Sequence, residues 1–407
     1  MNPIEAVTTS PSALLLLPPP PSFSFDQVKD VFETAVSDAL VKLQKTPNRS
    51  GCAPTLDIAA DIPGLLSPAC RPRSKIFPQL QHYLTSIYTL IGAVATERSI
   101  ELDTPGGINT RVIFVDSSLS HQIFASASRS AIGPILDLQT LAEAVQSQYR
   151  KWSHIFYLGS KAGKELAQAF VSLAPSSSQD RMTSILQSFS CGDWSVPLPV
   201  LVPEDQQSSM PHYSVAVGGT FDHLHLGHKL LLTATALALE PSYATDESQE
   251  SLLTVGVTGD ALLVNKKYAE FLEDWNQRFL VSQGFLMDIM NFSGSLEVNK
   301  TITPDGKGSL ILTTIQPHSP GTGVTLKFVE FFDICGPTVT DEGISALVLS
   351  KETQAGGAIV NNERVKKGWK PLVIFEVDVL QTGETMNTEG FESKISSTNI
   401  RRTLSKA

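Results

Sequence analysis

The sequence predicts an α/β protein in two parts: a mixed α/β N-terminal region, and a C-terminal half in which a parallel sheet is covered by helices on both faces. Three observations carry this. From Tyr213 onward, apolar runs of strand length alternate with segments of helix length, the pattern of βαβ units. A proline-rich polar stretch, PLPVLVPEDQQSSMPH, interrupts the chain just before that series. The length of 407 residues suits two or three domains with full cores.

Taken in order, residues 1–25 are rich in Pro and Ser, show no helical or strand period, and are expected to form an unstructured lead. The leucine run Leu14 to Leu17 inside that lead ends at four consecutive prolines. It is too short to span a bilayer and lacks the basic flank of a signal peptide. Residues 26–200 read as an N-terminal α/β domain without an assignable role. Asp26 to Lys45 has helical apolar spacing at Val28, Val31, Phe32 and Ala35; Arg111 to Asp116 and His154 to Leu158 are β-rich; Pro134 to Trp152 is helix-like between them. Residues 201–212 are the expected linker, and 213–407 the second domain. Its strands are expected at Tyr213–Val217, Leu252–Val257, Leu310–Ile315, Thr325–Phe331, Ala346–Leu349 and Leu372–Val379. Its helices are expected at His228–Glu240, Trp275–Met290 and Ile359–Lys367, with another from about Thr398. Tyr243–Ser251 and Asn299–Lys307 read as surface loops.

Hydrophobic residues make up 42% and charged residues 18%, as in ordinary globular proteins. The net charge of −10 leaves no global basic field for nucleic acid or an anionic membrane, so an anionic ligand has to be met by a local site. Cys52, Cys70, Cys191 and Cys335 stand far apart, without CxxC or zinc-ligand spacing, which fits a reducing compartment. Cytoplasm is the expected location, with the nucleus as the alternative.

That local site is sought where Val215 to Val217 run into Gly218, Gly219, Thr220, Phe221 and Asp222, and a turn opens a helix near Gly227. Two glycines, a hydroxyl and a helix N-terminus bring N–H groups to bear on a phosphate. His225 and His228 are three apart, on one side of the helix start, and can both donate to one anion. A metal cluster of His223, His225 and His228 would have only Asp222 to complete it, so no protein metal ligand is assigned and His223 reads as a bystander. Gly159 to Glu165, GSKAGKE, is one residue short of a P-loop and has Glu165 in the hydroxyl position; it reads as a helix start.

The segment Gly219–His228, GTFDHLHLGH, resembles the GTFDxxHxGH signature of the nucleotidyltransferase superfamily, and Ile395–Arg401, ISSTNIR, matches its ISSTxxR motif. Between them, LLVNKK (Leu262–Lys267), DICGPT (Asp333–Thr338) and SKETQAGGAIVN (Ser350–Asn361) are similar to LLxNK, DPFGPT and SxETxxGGxxVN of the eukaryotic phosphopantetheine adenylyltransferases. The pattern departs at Ile334 and Cys335, where the family has Pro and an aromatic residue.

The resemblance covers about Tyr213 to Leu404 and implies a Rossmann-like nucleotidyltransferase domain. It further implies AMP transfer from ATP to 4′-phosphopantetheine, with Mg²⁺ accompanying ATP, in coenzyme A synthesis. Carried over residue by residue, it makes His225, His228 and Lys266 catalytic, and gives ATP to Gly218, Gly219, Thr220, Phe221, His228, Ser396, Ser397, Thr398 and Arg401. The phosphopantetheine phosphate falls to Thr220, Lys266 and Lys351. It also implies a monofunctional enzyme of fungal type, its product passed to a separate dephospho-coenzyme A kinase, with other pathway enzymes as partners. Two rivals stay open: adenylylation of NMN or cytidylylation of choline phosphate by the same fold, and a non-catalytic scaffold subunit.

Overall fold

A computed structural model of the chain describes residues 10–46, 52–102, 107–118, 132–147, 150–196, 201–203, 210–241, 250–292, 296–299, 308–315, 323–380 and 396–406. The first unit runs β1 (Ser12–Leu17), α1 (Phe25–Lys45), β2 (Thr55–Asp61), α2 (Phe77–Glu97), β3 (Asn109–Asp116), β4 (Ile135–Asp137), α3 (Leu138–Glu143), β5 (His154–Leu158), α4 (Lys161–Leu173), α5 (Ser176–Ile185) and β6 (Leu186–Phe189). Its strands pair in the order β4-β3-β2-β1-β5-β6, parallel throughout.

β1 overturns the expected unstructured lead. Ala13 and Leu14 to Leu17 are fully buried, because this strand lies inside the sheet between β2 and β5. A strand covered on both faces is apolar without alternation. The run therefore shows no period of two, and the prolines after it, which cannot extend a ladder, disguise it as a low-complexity tail. Only Met1 to Thr9 of that lead fall outside the described residues. The helix-like stretch from Pro134 contains strand β4 as well as the short α3, since Asp137 ends the strand and caps the helix by accepting from the Thr140 N–H at 2.8 Å.

The second unit runs β7 (Ser214–Gly219), α6 (Leu226–Ala238), β8 (Ser251–Thr258), α7 (Trp275–Met290), β9 (Leu296–Asn299), β10 (Leu310–Ile315), β11 (Val324–Phe331), β12 (Ala346–Ser350), α8 (Gln354–Lys366), β13 (Val373–Val377) and α9 (Ser397–Leu404). Its order is β13-β12-β7-β8-β11-β10-β9. From β13 to β11 the sheet is parallel, but β10 and β9 are antiparallel additions at one edge, where β10 lies directly against β11. The expected parallel sheet is thus mixed. Much of both expected polar inserts, and part of the expected linker, lie outside the described residues.

Both sheets share one continuous hydrophobic core. α2 lies at its centre and packs on α1 and α6. It is buried nearly all round because no residue from Phe77 to Thr96 is an Asp, Glu, Lys or Arg. Phe77 of α2 meets Phe375 of β13 at 4.6 Å between ring centres. An ionic cluster, buried except at the half-exposed Asp288, crosses the same junction: Arg111 bonds Asp57 and Asp288, each at 2.6 Å, and Arg150 and the Trp152 indole also reach Asp57. Burial alone would raise the Asp57 carboxyl, yet the two guanidiniums hold it below the ordinary carboxylate range. None of the described helices is long and apolar enough to cross a membrane.

Because β1 lies inside the sheet, Leu15→Ala should lower unfolding stability by about 2–5 kcal/mol, the usual range for a truncated core leucine. Urea titration of the purified protein checks this, and an unchanged midpoint would mean that β1 is dispensable.

Candidate active site

In the second sheet, chain order reverses between β7 and β12, so the carboxyl ends of those strands flank a crevice where open α/β sheets take ligands. β7 delivers Gly218 and Gly219 to that crevice, and β12 delivers Ser350 and Lys351. A Cβ built on Gly218 would meet nothing within 4 Å, whereas one on Gly219 would press on the Phe221 ring at 3.0 Å. Gly219 is therefore required by the fold itself, and Gly218 faces open space. Phe221 and His223 take positive φ (51° and 46°), which winds the GTFD turn tightly before α6.

α6 begins one residue after His225 and carries His228 in its first turn. The two imidazoles stack with centres 3.8 Å apart, and Phe221 lies 5.5 Å from His228. Nδ1 of each histidine is buried without a hydrogen-bond partner among the described residues. Burial, reinforced by His223, pushes His228 down to about 3. Burial and the neighbouring His228, His223 and Lys229 push His225 well below the ordinary histidine range. Both rings are consequently neutral at pH 7. Since an unfolded histidine titrates near 6.5, the stability associated with these buried neutral rings is complete above that pH and is lost as pH falls towards 3.

Asp222, fully buried, forms an ion pair with Arg401, 179 residues away and itself buried. Asp222 Oδ1 also accepts from the Glu273 N–H at 2.9 Å, and the Asp222 carbonyl accepts from Ser397 Oγ at 2.8 Å. Arg401 donates further to the Lys267 carbonyl at 3.1 Å and to Thr398 Oγ1 at 3.3 Å. Ser396 caps α9. The GTFD turn and the start of α9 are thus brought together, and the Arg401 guanidinium is engaged within the protein. Ile395, the first residue of the second motif, lies outside the described residues.

Lys266 sits in the turn after β8, exposed, with no hydrogen bond or ion pair to its side chain among the described residues. Lys351 is 59% exposed and pairs with Asp378 at 2.5 Å. Asp378 in turn accepts from Gln81 Nε2 at 3.1 Å and lies 3.2 Å from His82 Nδ1, both on α2. His223 turns away from the other two histidines, with Nε2 2.8 Å from the Phe271 carbonyl.

Two residues that the motifs do not mark hold the site together. Arg278 of α7 is fully buried and donates to the carbonyls of Thr220, Thr258 and Glu273 and to Asp260. Glu273 accepts from the His223 N–H at 2.7 Å. The capping box of Asp274 and Gln277 marks the start of α7 in the sequence, but carbonyl partners carry no side-chain pattern by which Arg278 could be found.

Comparison with known proteins gives two results. A family described as a domain of unknown function (DUF8446) matches residues 1–192. An uncharacterized protein of Schizosaccharomyces pombe is 35% identical over 204 residues, 50% of this chain and 52% of that protein. A phosphopantetheine adenylyltransferase of Saccharomyces cerevisiae is 32% identical over 201 residues, 49% of this chain and 52% of that protein. The aligned part of the chain spans about half the length of these two relatives. The phosphopantetheine adenylyltransferase of Thermococcus gammatolerans is 30% identical over 195 residues, which is 48% of this chain but 91% of that protein. Similarity of that depth, sustained along nearly all of a relative's length, identifies this chain as a member of the phosphopantetheine adenylyltransferase family.

Proposed function

We propose that this protein transfers AMP from ATP to 4′-phosphopantetheine, releasing pyrophosphate and forming dephospho-coenzyme A. The observation that supports this most directly is the junction of the two phosphate motifs at the crevice, where Asp222 of GTFDHLHLGH and Arg401 of SSTNIR form one buried pair. The attacking group is a phosphate already ionised at neutral pH, so no protein nucleophile or strong base is needed. The protein has to hold two polyanions in line and offset the charge that develops on the α-phosphoryl group and on pyrophosphate.

In this reading the open backbone at Gly218 and the Thr220 hydroxyl meet the α-phosphate. His225 and His228, neutral in the free protein, each offer one N–H, and an arriving polyanion raises their proton affinity. Lys266 swings from solvent to bridge the incoming phosphate and the α-phosphate. The N-terminus of α9, with Ser396, Ser397 and Thr398, takes the β- and γ-phosphates, and Arg401, paired with Asp222, holds that N-terminus against the GTFD turn. Lys351 receives the phosphopantetheine phosphate. Mg²⁺ would come with the triphosphate, held by phosphate oxygens and water, and would neutralise charge there. Among the described residues no group of three His, Cys, Asp or Glu is placed to hold a metal, and Asp222 is committed to Arg401.

Purified protein with Mg²⁺ and ATP should release pyrophosphate with 4′-phosphopantetheine and not with NMN or choline phosphate. His228→Ala should reduce kcat by about 100-fold or more with the fold intact. Release with NMN or choline phosphate alone would reassign the acceptor, and ATP binding without any release would favour a scaffold role. Since both histidines are neutral before ATP arrives, binding at pH 6 should take up protons, and this uptake should fade towards pH 8. Calorimetry in buffers of different ionisation enthalpy measures it, and an uptake unchanged in a His225→Gln, His228→Gln double variant would contradict the assigned role. Asp222→Ala leaves a buried guanidinium unpaired and should lower stability at pH 7 by about 3–5 kcal/mol in urea unfolding.

A further inference from the structure

α6 carries both catalytic histidines at its start, and the N-terminal unit grips this helix at both ends. One residue after His228, Lys229 is 2% exposed. Its ammonium donates to Asn109 Oδ1 at 2.5 Å and to the Thr110 carbonyl at 3.1 Å, both at the start of β3, and lies 5.7 Å from the centre of the Phe285 ring. At the far end of α6, Arg73 Nη1 donates to the Leu239 carbonyl at 2.8 Å and to the Ala236 carbonyl at 3.4 Å. The Arg73 N–H donates to Glu240 Oε2 at 2.7 Å. Arg73 thereby satisfies carbonyls that the end of a helix leaves without partners. An ammonium withdrawn from water is tolerated only where geometry and partners are good. Lys229 has those partners only because β3 of the other unit supplies them.

Among the described residues, the strand end of the N-terminal unit that corresponds to β7 is built differently. Its order reverses between β1 and β5, where a parallel sheet would take a ligand. There β1 runs into Pro18, Pro19 and Pro20, all buried, and the Trp194 indole N–H donates to the Pro19 carbonyl at 2.9 Å. At the start of α4, the Lys161 N–H is bonded by the Asp193 carboxylate at 2.6 Å. The groups that would receive an anion are satisfied by the chain itself.

We infer that the N-terminal unit is a built-in positioning element for the histidine helix, with Lys229 and Asn109 as its positioning residues. The inference rests on the adenylyl-transfer reading of the site. Lys229 follows His228 directly and donates its own N–H to the His225 carbonyl at 3.0 Å, so a shift of its anchor is passed to both rings. Misplacement of such groups by about 1 Å can lower a rate by about 100-fold.

The test compares Lys229→Met, Asn109→Ala, their combination and Asn109→Asp, using kcat, KM for ATP, thermal unfolding and the imidazole NMR signals of His225 and His228. Each of the first two should lower kcat by about tenfold or more, with KM for ATP changed by less than about threefold. The combination should be no worse than the more severe single variant. Asn109→Asp, which keeps an acceptor oxygen, should restore most of the rate lost in Asn109→Ala. The ring signals should move in Lys229→Met before any ATP is added. Folded variants with wild-type kcat and unmoved ring signals would overturn the inference, as would a lowered melting temperature with kcat unchanged. If Lys229→Met does not fold, Asn109→Ala and Asn109→Asp decide. Because ring signals need no turnover, a wild-type protein that fails to transfer AMP sinks the proposed reaction, while signals that do not move sink the positioning role.

Discussion

Asp222 and Arg401 pair where neither reaches water, and each carries further bonds that fix a different stretch of chain. A buried ion pair is stable only when its remaining donors and acceptors are satisfied. Here the Glu273 N–H, the Lys267 carbonyl and Thr398 Oγ1 do so. Three segments therefore converge on one pair: the turn after β7, the loop from Lys267 to Glu273, and α9. Without the pair, the second motif would have little else to dock it, since α9 is eight residues long and largely polar. Its remaining bond to the turn is the hydroxyl of Ser397 on the Asp222 carbonyl.

The same site is built on a contrast between compensated and uncompensated groups. Arg278 and Arg401 are buried and turned onto protein carbonyls and carboxylates, so they stiffen the crevice from beneath. His225 and His228 have buried Nδ1 atoms without a hydrogen-bond partner among the described residues, and burial keeps both rings neutral at pH 7. In the reaction proposed above, positive charge at the phosphates is assigned to protons gained by the rings and to the exposed Lys266 and Lys351, the latter paired with Asp378 in the free protein. Such an arrangement avoids holding unpaired cations in a buried site before a ligand arrives, a state that desolvation makes costly.

Much of this was legible in the residue pattern, and what was missed has physical reasons. α7 falls on Trp275–Met290 as its capping residues and apolar spacing require, and β10 on Leu310–Ile315. β1 was hidden because a doubly buried strand has no alternation, and the prolines that end it resemble a flexible tail. The antiparallel direction of β10 was hidden because strand direction depends on the connection, which a strand's own residues do not encode. The HxGH and SST segments announce themselves by local spacing, but the partner of Arg401 does not. An arginine one turn into a helix beside a phosphate motif reads as a phosphate ligand, and only the folded chain brings Asp222 against it.

The two units share a parallel α/β plan with an order reversal beside the first strand of each, yet they end that strand in opposite ways. β1 continues into Pro18, Pro19 and Pro20, which are buried and have no N–H to offer an anion. β7 continues into Gly218 and Gly219, which keep their N–H groups and leave the space at Gly218 open. The two strand ends therefore differ in chemistry: β7 offers backbone N–H groups beside open space, and the three prolines after β1 offer none. The first unit in turn supplies Asn109 and Thr110 to Lys229, and Arg73 to the last carbonyls of α6. The helix that starts beside the open strand end is thus bonded near both of its ends to the unit whose own strand end runs into proline.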